Sequence, residues 1–347
     1  MALKNYLDLK SEVWDTGICS GCGACVEVCP ADTISFDEGE MMLTPKSNGY
    51  CKQATDNVSC GACYSVCPRI GEQPAQTLGK YLELACAKST FEIPHKQSGG
   101  AVTAILANAL DQGLIDAIVT VTEDRWTLKP SSVIITKSDV LVQQAGSRYS
   151  WWVPLLAALK HAVVERKFRR IAVIGVPCAV QAVARMRESD NDLLMPYGNA
   201  IRLVIGLFCT ETFDYTALIQ GKLRTDYKVE PHEIKKLDVK GKLEVLKHDG
   251  TITIVPLVEL ETCIRKGCHY CTDLTAVLSD ISAGAIGSPA GTTTLIIRTP
   301  TGKGFVDSAV QNHKLTLTPG VDTAAIEKLA SAKIKKNSKK ISLCSGN

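Results

Sequence analysis

The period of the hydrophobic positions changes along the chain, and the change divides it in two. Through residue 70 the apolar residues come singly or in short groups broken by Gly, Ser, Asn and Asp, a loop-rich pattern. From Tyr81 onward, continuous apolar runs alternate with stretches that are apolar at every third or fourth position. The runs predict strands at Ile115–Thr122, Ser132–Thr136, Arg170–Val176 and Ile201–Phe208. The helical pattern covers Gly100–Asp111, Val153–Arg166, Ala179–Glu188 and Thr212–Leu223. Such alternation predicts an α/β domain with a largely parallel sheet. Glu244–Lys247 and Thr251–Val255 flank His248-Asp249-Gly250, a tight hairpin signal. The Gly/Gln/Pro-rich stretch Ile70–Lys80 reads as a linker. Thr323–Lys340 reads as an exposed helix whose Lys333, Lys335, Lys336, Lys339 and Lys340 form a solvated basic tail. The expected domains are therefore 1–75, 76–320 and 321–347.

Charge sharpens that division. Residues 1–75 carry five Lys/Arg against ten Asp/Glu, a net of −5, and the remainder carries 34 against 26, a net of +8. An acidic module joined to a basic one suggests two different partners, or a basic pocket for an acidic ligand. No stretch is both strongly basic and aromatic, and aromatics make up only 5% of the chain, which argues against nucleic acid. No run reaches the roughly 20 apolar residues of a membrane span. Charged residues occupy the N-terminal stretch where a signal peptide is apolar. The expectation is a cytoplasmic protein, where thiols serve as metal ligands, catalytic groups or core residues rather than disulfides.

The chain holds 15 cysteines, so their spacing carries the chemistry. Cys19, Cys22, Cys25 and Cys29 followed by Pro30 reproduce the bacterial ferredoxin run, whose fourth cysteine reaches a second cluster. Cys60, Cys63 and Cys67 followed by Pro68 repeat its end, but Asn57 stands where the first cysteine of the repeat belongs, leaving Cys51 as its replacement. Cross-ligation as in two-cluster ferredoxins assigns Cys19, Cys22, Cys25 and Cys67 to one [4Fe–4S] cluster. The other falls to Cys29, Cys51, Cys60 and Cys63. Zinc, which prefers ligand pairs separated by a longer gap, fits this spacing poorly. Farther on, Cys178 and Cys209 each follow a predicted strand, and Cys268-His-Tyr-Cys271 adds a closely spaced pair. Strand ends in open α/β sheets gather at one crevice. A third [4Fe–4S] cluster, a zinc site on Cys263, Cys268, His269 and Cys271, and a catalytic thiol at Cys178 on a helix N-terminus all remain open. Cys86 reads as a core thiol and Cys344 as an exposed one.

Three glycine loops are candidates for an organic cofactor. Ser98, Gly99 and Gly100 open the apolar helix that carries Ala101 and Thr103, a phosphate-cradle pattern. Gly146, Ser147, Arg148 and Tyr149 add a hydroxyl and a guanidinium suited to phosphate. Gly287 and Ser288 lie in a third loop, Gly284–Gly291.

The motifs SGGAVTAILANALDQGLID, QQAGSRYS, GVPCAVQAVARM, GLFCTETFDYTAL, GCHYC and DISAGAIGSPAGTTTLIIRT, in this order over about residues 80–335, resemble the beta subunits of coenzyme F420 hydrogenases and dehydrogenases. The ferredoxin module in front most resembles the electron-input subunit of the F420 dehydrogenase. Two departures stand out: Lys240-Gly-Lys-Leu in place of a Gly-Lys-Phe-type stretch, and Ala290 in place of an acidic residue. The resemblance implies FAD near Ser98–Thr103, Gly146–Tyr149 and Gly287–Ser288, and a cluster on Cys178, Cys209, Cys268 and Cys271. It implies coenzyme F420 as substrate, exchanging a hydride with FAD. It also implies a partner redox subunit, that of a hydrogenase, formate dehydrogenase, heterodisulfide reductase or membrane F420 dehydrogenase. The rival readings are the same subunit working in the F420-reducing direction with electrons from a formate dehydrogenase or hydrogenase, and a ferredoxin-like wiring protein without catalysis. No side chain is nominated as a general acid or base.

Overall fold

The computed structural model describes residues 3–36 and 44–344, with side chains through residue 338. The apolar runs form one sheet of eight strands: β1 Glu83–Ser89, β2 Ala117–Glu123, β3 Pro130–Ile135, β4 Ile171–Gly175, β5 Ile201–Leu207, β6 Ile281–Gly284, β7 Thr293–Ile297 and β8 Leu315–Thr318. Their spatial order is β8-β1-β7-β6-β5-β4-β2-β3. The parallel run β6-β5-β4-β2 forms the centre. β7 is antiparallel to both β6 and β1, so β1 points the same way as the centre, while β3 and β8 run against their neighbours. The sheet is thus mixed rather than largely parallel. The chain leaves β1, β2, β4, β5 and β6 at the same edge, where α/β sheets collect ligands.

Both faces of the sheet are covered. On one lie α1, Ala101–Asp111, and α3, Pro300–Gln311, which bury Ile105, Leu106, Phe305 and Val306 against Ile118, Leu203, Ile205, Leu295 and Ile297. On the other, α2, Pro177–Arg187, buries Val180 and Val183 with Val173 and Val204. The N-terminal module joins this second core directly through Cys22, Ala24, Val28, Ala62 and Val66. Hydrogen bonds stitch the same boundary: Tyr197 Oη donates to the Glu27 carbonyl at 2.7 Å, and Asn191 Nδ2 to that of Cys60 at 2.7 Å.

Four expectations change. The stretch expected as a linker is laid down on the domain, with Thr272 Oγ1 donating to the Pro74 carbonyl at 2.6 Å and Arg298 Nη1 to the carbonyls of Leu78 and Lys80 at 2.7 and 2.9 Å. The helix expected from Val153 becomes regular only near its end, with a wide-turn segment at His161–Glu165. The Leu156 amide is used instead on the Cys22 carbonyl, at 3.1 Å. The expected hairpin forms as Lys242–Lys247 and Ile252–Pro256, but Ile234–Val239 adds a third antiparallel strand. Finally, α4, Thr323–Cys344, is not a solvated tail. Ile326, Ala330, Lys333 and Asn337 form its buried stripe, and only its other faces, with Lys335 and Lys336, are exposed. The side chains of Lys339, Lys340 and Cys344 lie outside the described residues.

Candidate metal centres and cofactor cleft

Twelve cysteines gather into three groups of four. Burial, then the proximity of Cys19, Cys67 and Cys22, pushes the Cys25 thiol well above its ordinary range. Cys63 is pushed up to about 12 by burial and then by Cys60, Cys29 and Cys51. Cys178 is likewise pushed up to about 12, by burial and by Cys22, against the relief of Arg69, with Cys271 and Cys268 adding to it. Burial dominates for Cys209 too; Lys333 opposes it, and Cys268, Cys271 and Cys178 reinforce it. The groups are an outer one of Cys29, Cys51, Cys60 and Cys63, a middle one of Cys19, Cys22, Cys25 and Cys67, and an inner one of Cys178, Cys209, Cys268 and Cys271. Cys25 also senses Cys63, and Cys178 senses Cys22, so the middle group neighbours both others.

Charging Cys25, Cys63, Cys178 and Cys209 is opposed first by desolvation and then by the neighbouring thiols. A polynuclear iron centre removes that opposition, and the donor chemistry fits it. Among the described residues no three His, Cys, Asp or Glu side chains are close enough to share one metal ion. A single zinc draws its thiolates to about 2.3 Å, whereas a four-iron cube holds them farther apart. Cys263 is separate from the inner group. It packs with Leu218, Leu223 and Val245, and its charged neighbours are Lys222, Asp214 and Asp226. The four-residue zinc site is therefore not assembled. Cys86 is buried within β1, a core thiol as expected.

Local structure explains each group. Left-handed Gly23 and Gly61 start the short helices Ala24–Glu27 and Ala62–Ser65 in both ferredoxin runs. The Cys29 thiol is raised by burial, yet the Thr33 hydroxyl at 3.3 Å and the amides of Thr33, Ala31 and Ile34 outweigh this and hold it below its ordinary range. After Cys51 the chain turns once as helix Lys52–Asp56 and ends at left-handed Asn57. That turn brings Cys51 into one pocket with Cys29, Cys60, Cys63, Tyr6 and Ile34.

The inner group is built by topology. Cys178 opens α2 after β4, and Cys209 follows β5. The Thr212 amide and hydroxyl reach Cys268 Sγ at 3.4 and 3.3 Å. At Gly267 a Cβ would collide with the Cys19 carbonyl, so only glycine lets the Cys268 loop approach the middle group. Between the two groups, buried Arg69 donates to the carbonyls of Ile18, Gly267 and Tyr270 at 3.1, 3.0 and 3.1 Å. Burial weakens its charge, but the proximity of Cys271, Cys178, Cys268 and Cys67 more than restores it. On the far side, Lys333 Nζ donates to the carbonyls of Cys209 and Asp273, and Asn337 Nδ2 to those of Cys268 and Cys271. Sequence reasoning missed Arg69, Lys333 and Asn337. The signal for the last two was present: Ile326, Ala330, Lys333 and Asn337 repeat at helical spacing, and the stripe happens to end in polar residues.

The glycine loops lie along the strand-exit edge. Ser98–Gly100 turns from β1 into α1, with the Ser98 hydroxyl 3.0 Å from Thr293 Oγ1 and the Gly99 amide donating to that oxygen at 3.0 Å. Gly100 precedes Ala101 at the helix N-terminus, and Thr103 is half-buried in its first turn. Gly146, Ser147 and Tyr149 line a cleft with His95, Gln97, Glu123, Arg125, Lys235 and Lys236. The three-stranded sheet roofs it, Lys236 Nζ reaching the Gln97 carbonyl at 3.3 Å. Arg148 Nε lies 3.7 Å from a Glu123 carboxylate oxygen and is buried without a hydrogen-bond partner. Burial, then Arg125, Lys235 and Arg148, pushes the His95 pKa down, which marks a positive field. Gly287 and Ser288 stand apart from this cleft, in the loop joining β6 to β7, where the Gly287 carbonyl accepts from the Asp322 amide at 2.8 Å. The cleft and the inner thiols are linked through the chain: the Phe213 amide donates to the Tyr149 carbonyl at 2.9 Å, and Thr212 touches Cys268. Among the described residues no helix is long and apolar enough to cross a membrane.

The family models for the coenzyme F420 hydrogenase/dehydrogenase beta subunit match its N-terminal part over residues 84–160 and its C-terminal part over 168–323. A 4Fe-4S binding domain model matches residues 12–35. An uncharacterised protein of Methanocaldococcus jannaschii is 43% identical over 96% of this chain and 98% of its own. A component of the F(420)H(2) dehydrogenase of Methanosarcina mazei is 30% identical over 94% of this chain and 92% of its own. Among solved structures, a chain of the F420-reducing [NiFe] hydrogenase complex from Methanosarcina barkeri superposes with a TM-score of 0.72 at 30% identity, covering 78% of this chain and 94% of that one. This chain belongs to the family of coenzyme F420 hydrogenase/dehydrogenase beta subunits.

Proposed function

We propose that the protein is a coenzyme F420 oxidoreductase subunit that exchanges a hydride between F420 and FAD and relays electrons through three [4Fe–4S] clusters to a partner redox subunit. The carrying observation is the line of three thiol groups whose inner member is tied to the basic cleft through Thr212, Phe213 and Tyr149. Bound FAD supplies the exchange between paired and single electrons that hydride donors and iron–sulfur centres require of one another. The amides of Gly100 and Ala101, with Ser98 and Thr103, bind phosphate at the N-terminus of α1, where Gly99 is fixed by Thr293, and Gly287 and Ser288 extend that edge. Arg148, whose Nε makes no hydrogen bond and is paired only at 3.7 Å with Glu123, takes an acidic group of the cofactor at Gly146–Tyr149. Lys235, Lys236, Arg125 and His95 attract the phosphate and glutamate tail of F420. Cys19, Cys22, Cys25 and Cys67 hold the middle cluster, Cys29, Cys51, Cys60 and Cys63 the outer, and Cys178, Cys209, Cys268 and Cys271 the inner.

In this reading, residues 1–75 form the relay, 76–320 the flavin domain, and the segment from 321 supports the inner centre. F420 oxidation is the favoured direction. The dehydrogenase relative matches over 94% of the chain, including the relay, whereas the F420-reducing hydrogenase chain superposes on 78%. Anaerobically purified protein should contain FAD and about twelve irons, and reduced F420 should bleach the flavin rapidly. Bleaching by NADH and not by reduced F420 would overturn the assignment; the chain has no Gly-x-Gly-x-x-Gly following a strand, the pattern a dinucleotide site would show.

A further inference from the structure

The inner thiol group differs from the others in having one helix face fixed on its main chain. Lys333 is only 7% exposed, and its ammonium donates to the carbonyls of Cys209 at 2.6 Å and Asp273 at 2.7 Å. One turn later Asn337 donates to the carbonyls of Cys268 at 3.1 Å and Cys271 at 2.7 Å. The i, i+4 spacing puts both side chains on the same side of α4. Three of the four inner cysteines are thereby held at their backbone by a segment more than 60 residues away in sequence.

Burying an ammonium is costly unless negative charge accompanies it. Both hydrogen bonds of Lys333 go to carbonyls, and Asp273 Oδ2 is already engaged by Gln181 Nε2 at 3.2 Å and by the Val277 amide at 3.2 Å. The Asp273 carboxylate supplies one nearby negative charge, which it shares with Arg298, and a four-thiolate iron centre would add the rest. Such a centre gains one negative charge on reduction, and a cation beside it, weakly screened in the interior, favours the reduced form. Arg69 does not duplicate this role, because it stands between the middle and inner groups and acts on both.

We propose that Lys333 is a positioning residue for the inner centre, whose buried charge raises that centre's reduction potential, while Lys333 and Asn337 together hold Cys209, Cys268 and Cys271 in ligating register. The inference rests on the reading of Cys178, Cys209, Cys268 and Cys271 as cluster ligands. It makes the centre nearest the cleft readier to accept an electron than it would be without that charge.

The test uses the full chain, purified anaerobically, with iron analysis and a redox titration followed by electron paramagnetic resonance. In Lys333→Met the iron content should stay at about twelve per chain. One of three midpoint potentials should fall until the reduced-to-oxidised ratio at fixed potential drops about tenfold, 59 mV for a one-electron couple. Lys333→Arg should restore it. Should the Met variant lose about four irons while the Arg variant keeps them, the positioning role is supported, and Lys333→Gln, which retains a donor without charge, reads the potential. Full iron with all three potentials unchanged in the Met and Gln variants would overturn the inference. About eight irons in the unaltered chain would instead bring down the inner cluster itself.

Discussion

The outer and inner thiol groups are built from opposite kinds of sequence. The outer and middle groups come from two contiguous runs, in which glycines, short helices and backbone amides bring neighbouring cysteines round one point. The inner group collects Cys178, Cys209 and the Cys268/Cys271 pair from three distant segments, because β4 and β5 are parallel neighbours and exit at the same edge. The difference teaches what each site depends on. A contiguous motif needs little beyond its own turns and is supported by main-chain donors. A site assembled by topology has no such local frame, and side chains supply one: Arg69 on one side, Lys333 and Asn337 on the other.

The strongest way to break the comparison is at Gly267, where the two kinds of site touch. Gly267→Ala forces a methyl group against the Cys19 carbonyl. Overpacking of this kind costs about 1–3 kcal/mol, so the variant should melt at a clearly lower temperature and lose iron from both middle and inner groups. Unchanged melting and iron would show that the loop can yield there. Separate control of the groups is next in size. Cys51→Ser should remove about four irons and leave FAD content and F420 oxidation by an artificial acceptor intact, whereas Cys178→Ser should remove about four irons beside the cleft and slow electron delivery to the relay. Full iron in Cys51→Ser would show that the outer centre is completed by another ligand.

Tyr197→Phe tests how firmly the relay is fastened to the sheet. It removes one buried hydrogen bond to the Glu27 carbonyl, and denaturant titration should register a loss of about 1 kcal/mol with iron unchanged. No loss would mean that the shared apolar core alone fastens the relay. The smallest effect concerns the cleft. Raising salt should weaken F420 binding several-fold, since attraction of Lys235, Lys236 and Arg125 for an acidic tail is screened over about 10 Å at 0.1 M. Binding insensitive to salt would place the tail elsewhere.

Local spacing, charge division and alternating runs were enough to read the ferredoxin runs and an α/β domain, because each depends on residues close in sequence or on strand polarity; the inner set of Cys178, Cys209, Cys268 and Cys271 stayed open among three readings until the family resemblance favoured one. Strands β1, β6, β7 and β8 and the third strand at Ile234–Val239 escaped that reading; Ile234–Val239 interleaves lysines with apolar residues and lacks a clean period of two. Two further decisions belong to the tertiary structure alone. The stretch after Ile70, rich in Gly, Gln and Pro, looks like a free linker until Thr272 and Arg298, some 200 residues later, capture its carbonyls. The lysines of α4 look like a solvated face until Lys333 is seen buried against Cys209. Charge in a sequence signals solubility by default. Whether a given ammonium is spent on water or on a buried thiol group depends on which carbonyls the fold brings within about 3 Å of it, and that is set by packing between segments the sequence keeps far apart.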